Sequence, residues 1–226
     1  WFAPAAFTPK ECDEIDRASL QCPVQEGKIG KDNKDVDAPE GVGHGNTDDL
    51  IRTSTIRWFN DQTLPQNITQ KLYDITCQAN NEMGWHHNFE YKENTQYTVY
   101  HADNKKPKGD FYTWHTDAGP EPYDNGCIRK LSMTLQLSDP DDYEGGHFQW
   151  LEPHRQFDKM QITEYEIETS GKPLIDIEQC ICSAPFSAKE RGSVIIFPSF
   201  LYHQVTAVTR GTRKVLVNWY CGKPYV

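Results

Sequence analysis

His115-Thr116-Asp117, a distant His203, and Arg213 ten residues beyond it are the residues of this chain whose types and spacing could do chemistry. Two imidazoles and one carboxylate can bind a ferrous ion on one face and leave the opposite face open to further ligands. On an extended chain, residues two apart project to the same side, so His115 and Asp117 can reach one ion together. The third ligand must come from elsewhere. His203 sits in a β-prone run over residues 201–207 and can supply it if that strand lies beside the first.

Arg213 opens a strand on which Val215, Val217 and Trp219 share its parity, so it begins an inward-facing row. A buried guanidinium needs an anionic partner. A dicarboxylate held by bidentate, charge-assisted bonds would be one; an edge position in water is the alternative. Tyr100 ends its own strand and could donate its hydroxyl to the same carboxylate. Tyr112, three residues before His115, is either a pocket residue or core packing. A His-x-Asp pair alone is common by chance. The full set is what points to a metal.

The elements that must position these groups are legible in outline. Thr8-Pro9-Lys10-Glu11 reads as a capping box with proline at the first helical position, and Ile15 and Leu20 give that helix a modest apolar face. Residues 23–50 have no period and read as a long surface loop, with a lid over a pocket as the functional option. Leu64, Ile68, Leu72, Ile75, Ala79 and Met83 recur at helical spacing, with Gly84 as a stop. From residue 94 onward the signals are strands, at residues 95–100, 131–137, 148–151, 174–177, 193–197, 202–207 and 214–220. The run Leu131-Ser132-Met133-Thr134-Leu135-Gln136-Leu137 alternates with period two, as a half-buried strand does. A charged stretch at 157–172 reads as an insertion. Helices followed by strands predict an α+β, mainly β chain built as an antiparallel sandwich or jelly roll. One domain over residues 1–226 is expected, with helical support and a long loop in 1–93 and a jelly-roll core in 94–226.

Composition narrows the function. A net charge of −10 argues against a nucleic-acid partner, which calls for a basic surface. The run Lys105-Lys106-Pro107-Lys108 reads as a solvated loop. The seven cysteines are odd in number and irregular in spacing, and only Cys180 and Cys182 are close, so free thiols in a reducing compartment are expected rather than zinc or disulfides. No apolar run reaches membrane-spanning length and no secretory leader is visible, so no membrane partner and a cytoplasmic location are expected. Asn67-Ile68-Thr69 fits a glycosylation sequon but falls inside the second helix.

Taken together, Tyr100 and the stretch Gly109-Asp110-Phe111-Tyr112-Thr113-Trp114-His115-Thr116-Asp117 resemble the prolyl 4-hydroxylase-like branch of the iron- and 2-oxoglutarate-dependent oxygenases. Residues 131–137 followed by Ser138-Asp139-Pro140-Asp141-Asp142-Tyr143-Glu144-Gly145-Gly146 are similar to the PKHD-type hydroxylases, as is the run from Phe197-Pro198-Ser199-Phe200-Leu201-Tyr202-His203 to Arg213. The resemblance covers about residues 94–221. It implies a double-stranded β-helix, Fe(II) on His115, Asp117 and His203, and 2-oxoglutarate gripped by Arg213 with help from Tyr100. It further implies dioxygen as co-substrate, ascorbate as reductant, and Trp219 near the metal on the last strand. One departure is His147, where the family often has an acidic residue after the glycine pair. A proline-containing peptide or protein is the expected substrate, with Trp114, Tyr143 and Trp150 as candidates to line an aromatic groove, core packing being the favoured alternative for each taken singly. A small molecule or another residue type is the alternative within the class. A non-catalytic jelly-roll binding module is the alternative outside it.

Overall fold

A computed structural model describes residues 1–29, 48–60, 62–102, 109–152 and 180–225. Helix α1 (Pro9–Ser19) starts as expected: Thr8 accepts the Glu11 amide at its hydroxyl, and Glu11 accepts the Thr8 amide in return. Ile15 is buried, but Leu20 is not part of the buried face. The helix stops at Ser19, and Leu20, as its C-terminal cap, is 73% exposed. Helix α2 (Gln66–Glu82) buries Ile68, Leu72, Thr76 and Ala79 on one stripe. A Lys71–Glu11 ion pair at 2.7 Å ties the two helices together.

Among the described residues, fourteen strands follow the chain: β1 (Phe2–Ala3), β2 (Gln25–Glu26), β3 (Arg52–Thr53), β4 (Thr55–Phe59), β5 (Tyr91–Lys92), β6 (Thr95–His101), β7 (Phe111–His115), β8 (Ile128–Gln136), β9 (Tyr143–Gly145), β10 (Phe148–Leu151), β11 (Ile181–Ser183), β12 (Val194–Pro198), β13 (His203–Val205) and β14 (Val208–Gly222). One sheet runs β1-β12-β8-β14-β6-β4-β2, with β5 and β9 also paired to β14. The other runs β11-β10-β13-β7-β3. The pairings are antiparallel, and the fold is a mainly β jelly roll with two supporting helices. The short pairings β1–β5 were not foreseen. They bring the first third of the chain into both sheets. The expected strand at 174–177, the insertion at 157–172, the lysine run, and the lid proposed within 23–50 (apart from β2 and the ends of that stretch) lie outside the described residues.

The alternation in β8 is real, but the half-buried expectation is corrected. Both faces are covered. Leu131, Met133 and Leu135 turn toward α1 and α2 and join Ile15, Ile68, Leu72 and Leu216 in the main core. Ser132, Thr134 and Gln136 face inward, opposite Trp219, Val217 and Val215 of β14. The polar face is dry of bulk solvent because the second sheet closes over it. Among the described residues no cysteine forms a disulfide. Among the described residues no helix is long and apolar enough to cross a membrane.

Candidate metal centre and its surroundings

Antiparallel pairing of β7 with β13 sets His115 directly opposite His203. Directly opposed residues share a face, so both imidazoles turn to the same side. The pairing shifts register between His203 and Val205, and this bulge brings Tyr112 to that face as well. Asp117 gets there differently from the simple extended-chain expectation, because β7 ends at His115. The amides of Asp117 and Ala118 both donate to the Ser199 carbonyl, at 2.9 and 2.8 Å. Ser199 is fully buried, with its hydroxyl 2.9 Å from that of Ser132. A turn pinned to the loop before β13 therefore aims the carboxylate.

The donor atoms of His115, Asp117 and His203 all lie within 4.8 Å of one another. His115 Nε2 is 3.6 Å from Asp117 Oδ1, and His203 Nε2 is 3.7 Å from Oδ2. His115 Nδ1 faces the Thr113 carbonyl at 2.7 Å, and His203 Nδ1 faces the Leu201 carbonyl at 2.8 Å. Each Nδ1 is thereby occupied as a donor to a carbonyl, which leaves Nε2, on the carboxylate side, as the atom of each ring that can ligate a metal. Burial pushes the His203 pKa down, with Asp117 opposing. For Asp117, burial works upward, but His203 and His115 outweigh it and hold the carboxyl well below its usual range. Phe197 and Phe148 wall the His203 ring at 4.7 and 5.5 Å.

Arg213 lies on the inner face, 2% exposed, opposite Tyr100 in register and 5.6 Å from that ring. Its Nε and Nη1 are buried without a partner, and so is the Tyr143 hydroxyl. Gly146 makes room for the arginine: a Cβ there would meet Arg213 Cδ at 2.7 Å. Unpaired buried donors around a guanidinium form a site that an anion completes. Tyr143, for which a groove and core packing were both open, belongs to this buried cradle with Tyr100 and Val215. Trp150 sits across from His203 on β10, with its indole N–H on Glu152. Trp219 is buried on the inner face with the Arg129 guanidinium 3.9 Å above its ring. Trp114, a pocket candidate by residue type, lies on the other face of β7 from His115. Alternation along β7 turns it away from His115, and it stacks on Tyr202 at 5.7 Å, a residue 44% exposed.

Several residues at this site carried no sequence signal. Arg52 and Arg129 are long cations in β-prone runs, which read as surface residues until the sheets close. Trp58, 6.2 Å from Trp219, also went unnoticed.

The family model described as the 2OG-Fe(II) oxygenase superfamily matches residues 76–221, which contain every one of the ligand candidates. The chain belongs to that superfamily. Among curated relatives of this oxygenase, a PKHD-type hydroxylase of Synechococcus sp. strain CC9605 is 29% identical over 51% of the chain. One of Escherichia coli O6:K15:H31 is 28% identical over the same share. The matches span only 39% and 40% of those relatives' length. Among solved structures, a viral collagen prolyl hydroxylase from Paramecium Bursaria Chlorella virus-1, in its 2OG complex, superposes with a TM-score of 0.55 at 16% identity, covering 99% of this chain and 96% of that one. A prolyl hydroxylase from Trichoplax adhaerens, in complex with a hypoxia inducible factor peptide, gives a TM-score of 0.60 at 13% identity, covering 97% and 82%. At such identities the likeness is one of fold.

Proposed function

We propose that this chain is an Fe(II)- and 2-oxoglutarate-dependent dioxygenase that hydroxylates an unactivated C–H bond, with a prolyl residue of a peptide or protein as its substrate. The observation that carries the reading is the joint placement of two imidazole Nε2 atoms and one carboxylate, with a buried arginine whose donors are unpaired on the same inner side of the sandwich. His115, Asp117 and His203 would hold the iron, and three protein ligands leave positions for 2-oxoglutarate and dioxygen. Bound iron and 2-oxoglutarate supply the oxidation: one oxygen atom goes into the substrate C–H bond, the other into succinate, and carbon dioxide is lost. The protein's share is positioning. The Thr113 and Leu201 carbonyls orient the imidazoles, Arg213 and the Tyr143 hydroxyl would bind the far carboxylate, and Tyr100 flanks it. No side chain is required to act as an acid or base. The prolyl assignment rests on the kinship with prolyl hydroxylases. Trp150, cross-strand from His203, would supply aromatic surface beside the ligands.

The test is incubation of the iron-loaded protein with 2-oxoglutarate and ascorbate over a panel of proline-containing peptides. Succinate release and a gain of one oxygen atom on proline are the expected result. Substrate-independent silence across peptides, with turnover on a small molecule, would redirect the substrate while leaving the chemistry.

A further inference from the structure

Behind the His115 imidazole lies a three-layer stack that the proposed ligand set does not explain. The Tyr112 ring is parallel to the imidazole, with centroids 3.5 Å apart and planes 12° apart. On Tyr112 sits the Arg52 guanidinium, 4.7 Å from the ring centroid. Arg52 and Tyr112 are cross-strand partners on β3 and β7. Arg52 is 7% exposed, and each of its three guanidinium nitrogens donates to a neutral acceptor. Its Nε donates to Ser54 Oγ at 2.9 Å, Nη1 to the Lys28 carbonyl at 3.2 Å, and Nη2 to Gln96 Oε1 at 2.8 Å. Gly27 is shaped to this arrangement: a Cβ there would stand 2.3 Å from Ser54 Oγ and 2.7 Å from Arg52 Nε. Among the described residues no carboxylate meets this guanidinium. Its face is given to the aromatic ring instead, the geometry of a cation–π contact.

We propose that Arg52 and Tyr112 are positioning residues for the metal centre, clamping the His115 ring from behind so that its Nε2 stays aimed at the ion. The Thr113 carbonyl fixes one edge of the imidazole but leaves rotation about that bond open. A parallel ring at 3.5 Å closes that freedom. Tyr112 can serve only while its own plane is held, and Arg52, pinned at three points, holds it. Groups that orient a ligand without touching the metal commonly govern its affinity.

The inference rests on His115 being a ligand, and the experiment separates the two claims. Mn(II) is titrated calorimetrically into metal-free protein, and visible spectra are recorded for the Co(II)-loaded forms. Arg52→Gln and Tyr112→Leu are expected to weaken Mn(II) binding about tenfold each and to alter the Co(II) bands, consistent with losses at ligand-orienting positions. Tyr112→Phe keeps the ring and should retain both properties. His115→Ala should lose binding outright. If Arg52→Gln folds and matches the wild type in affinity and spectrum, the clamp is wrong. Should Arg52→Gln fail to fold, the Tyr112 pair decides: equal behaviour of Leu and Phe overturns the proposal. Wild-type affinity in His115→Ala would instead remove the ligand assignment beneath it.

Discussion

Along β8 the same strand serves two unlike neighbourhoods. Outward, Leu131, Met133 and Leu135 pack on α1 and α2 with Phe7, Ile15, Ile68 and Leu72, a face made of apolar contacts. Inward, Ser132, Thr134 and Gln136 share a face with Arg213, Trp219, Gln96 and Thr98, a buried surface that is mostly polar. The outer face leaves only the Tyr220 hydroxyl and Asn218 Oδ1 buried without a partner among the described residues. The inner face leaves more: Arg213, Tyr143, Trp58 and Trp219 all carry buried donors without partners. Burial of apolar area stabilises the fold, whereas buried unpaired donors weaken it until a ligand arrives. One face therefore holds the molecule together, and the other is built to hold something else.

Substitutions on the two faces should accordingly fail in opposite ways. The largest effect belongs to the ligands. Asp117→Ala or His203→Ala should abolish succinate formation while leaving the melting temperature of the metal-free protein near its original value; residual turnover within tenfold of wild type would count against the assignment. Next comes Arg213→Ala, which should cost roughly 2–5 kcal/mol in 2-oxoglutarate binding, because the ligand carboxylate loses its buried charge partner. Arg213→Met sharpens the contrast. With an unpaired buried cation replaced by an apolar side chain, the ligand-free protein should melt no lower than wild type. 2-Oxoglutarate should then raise the melting temperature of the wild type only. A marked loss of stability in Arg213→Met would place that residue in the structural face after all. On the outer side, Leu72→Ala should destabilise by about 2–5 kcal/mol through the cavity it leaves, read by denaturant unfolding, with the 2-oxoglutarate requirement unchanged. Smallest is Thr8→Ala, which removes a helix cap and should lower stability by about 1 kcal/mol, again without touching turnover.

The legibility of the two faces also differed. Helical spacing of Ile68, Leu72 and Ala79 revealed the buried stripe of α2, and the capping residues marked where α1 begins. Leu20 misled because apolar type says nothing about where a helix ends; the chain turns off one residue too soon for that side chain to reach the core. Alternation in β8 identified the two faces of a strand but not that both are enclosed, since a serine facing a cavity and a serine facing water look the same in a chain. Trp114 and Tyr143 show the same limit: residue type left both a groove and core packing open. Tyr143 turned into the cradle beside Arg213, and Trp114 turned out to stack on Tyr202.

What this chain's residues determine by themselves is its chemical inventory and its local backbone habits: two imidazoles, a carboxylate, an arginine heading an inward row, and strands with a two-residue period. Those properties arise from side-chain type and from neighbours close in sequence. Tertiary structure alone decided that His203 faces His115, that the Ser199 carbonyl turns Asp117 toward both, and that Arg52 comes to rest on Tyr112. Each depends on strand register between segments far apart in the chain, and register is set by how the whole sandwich packs.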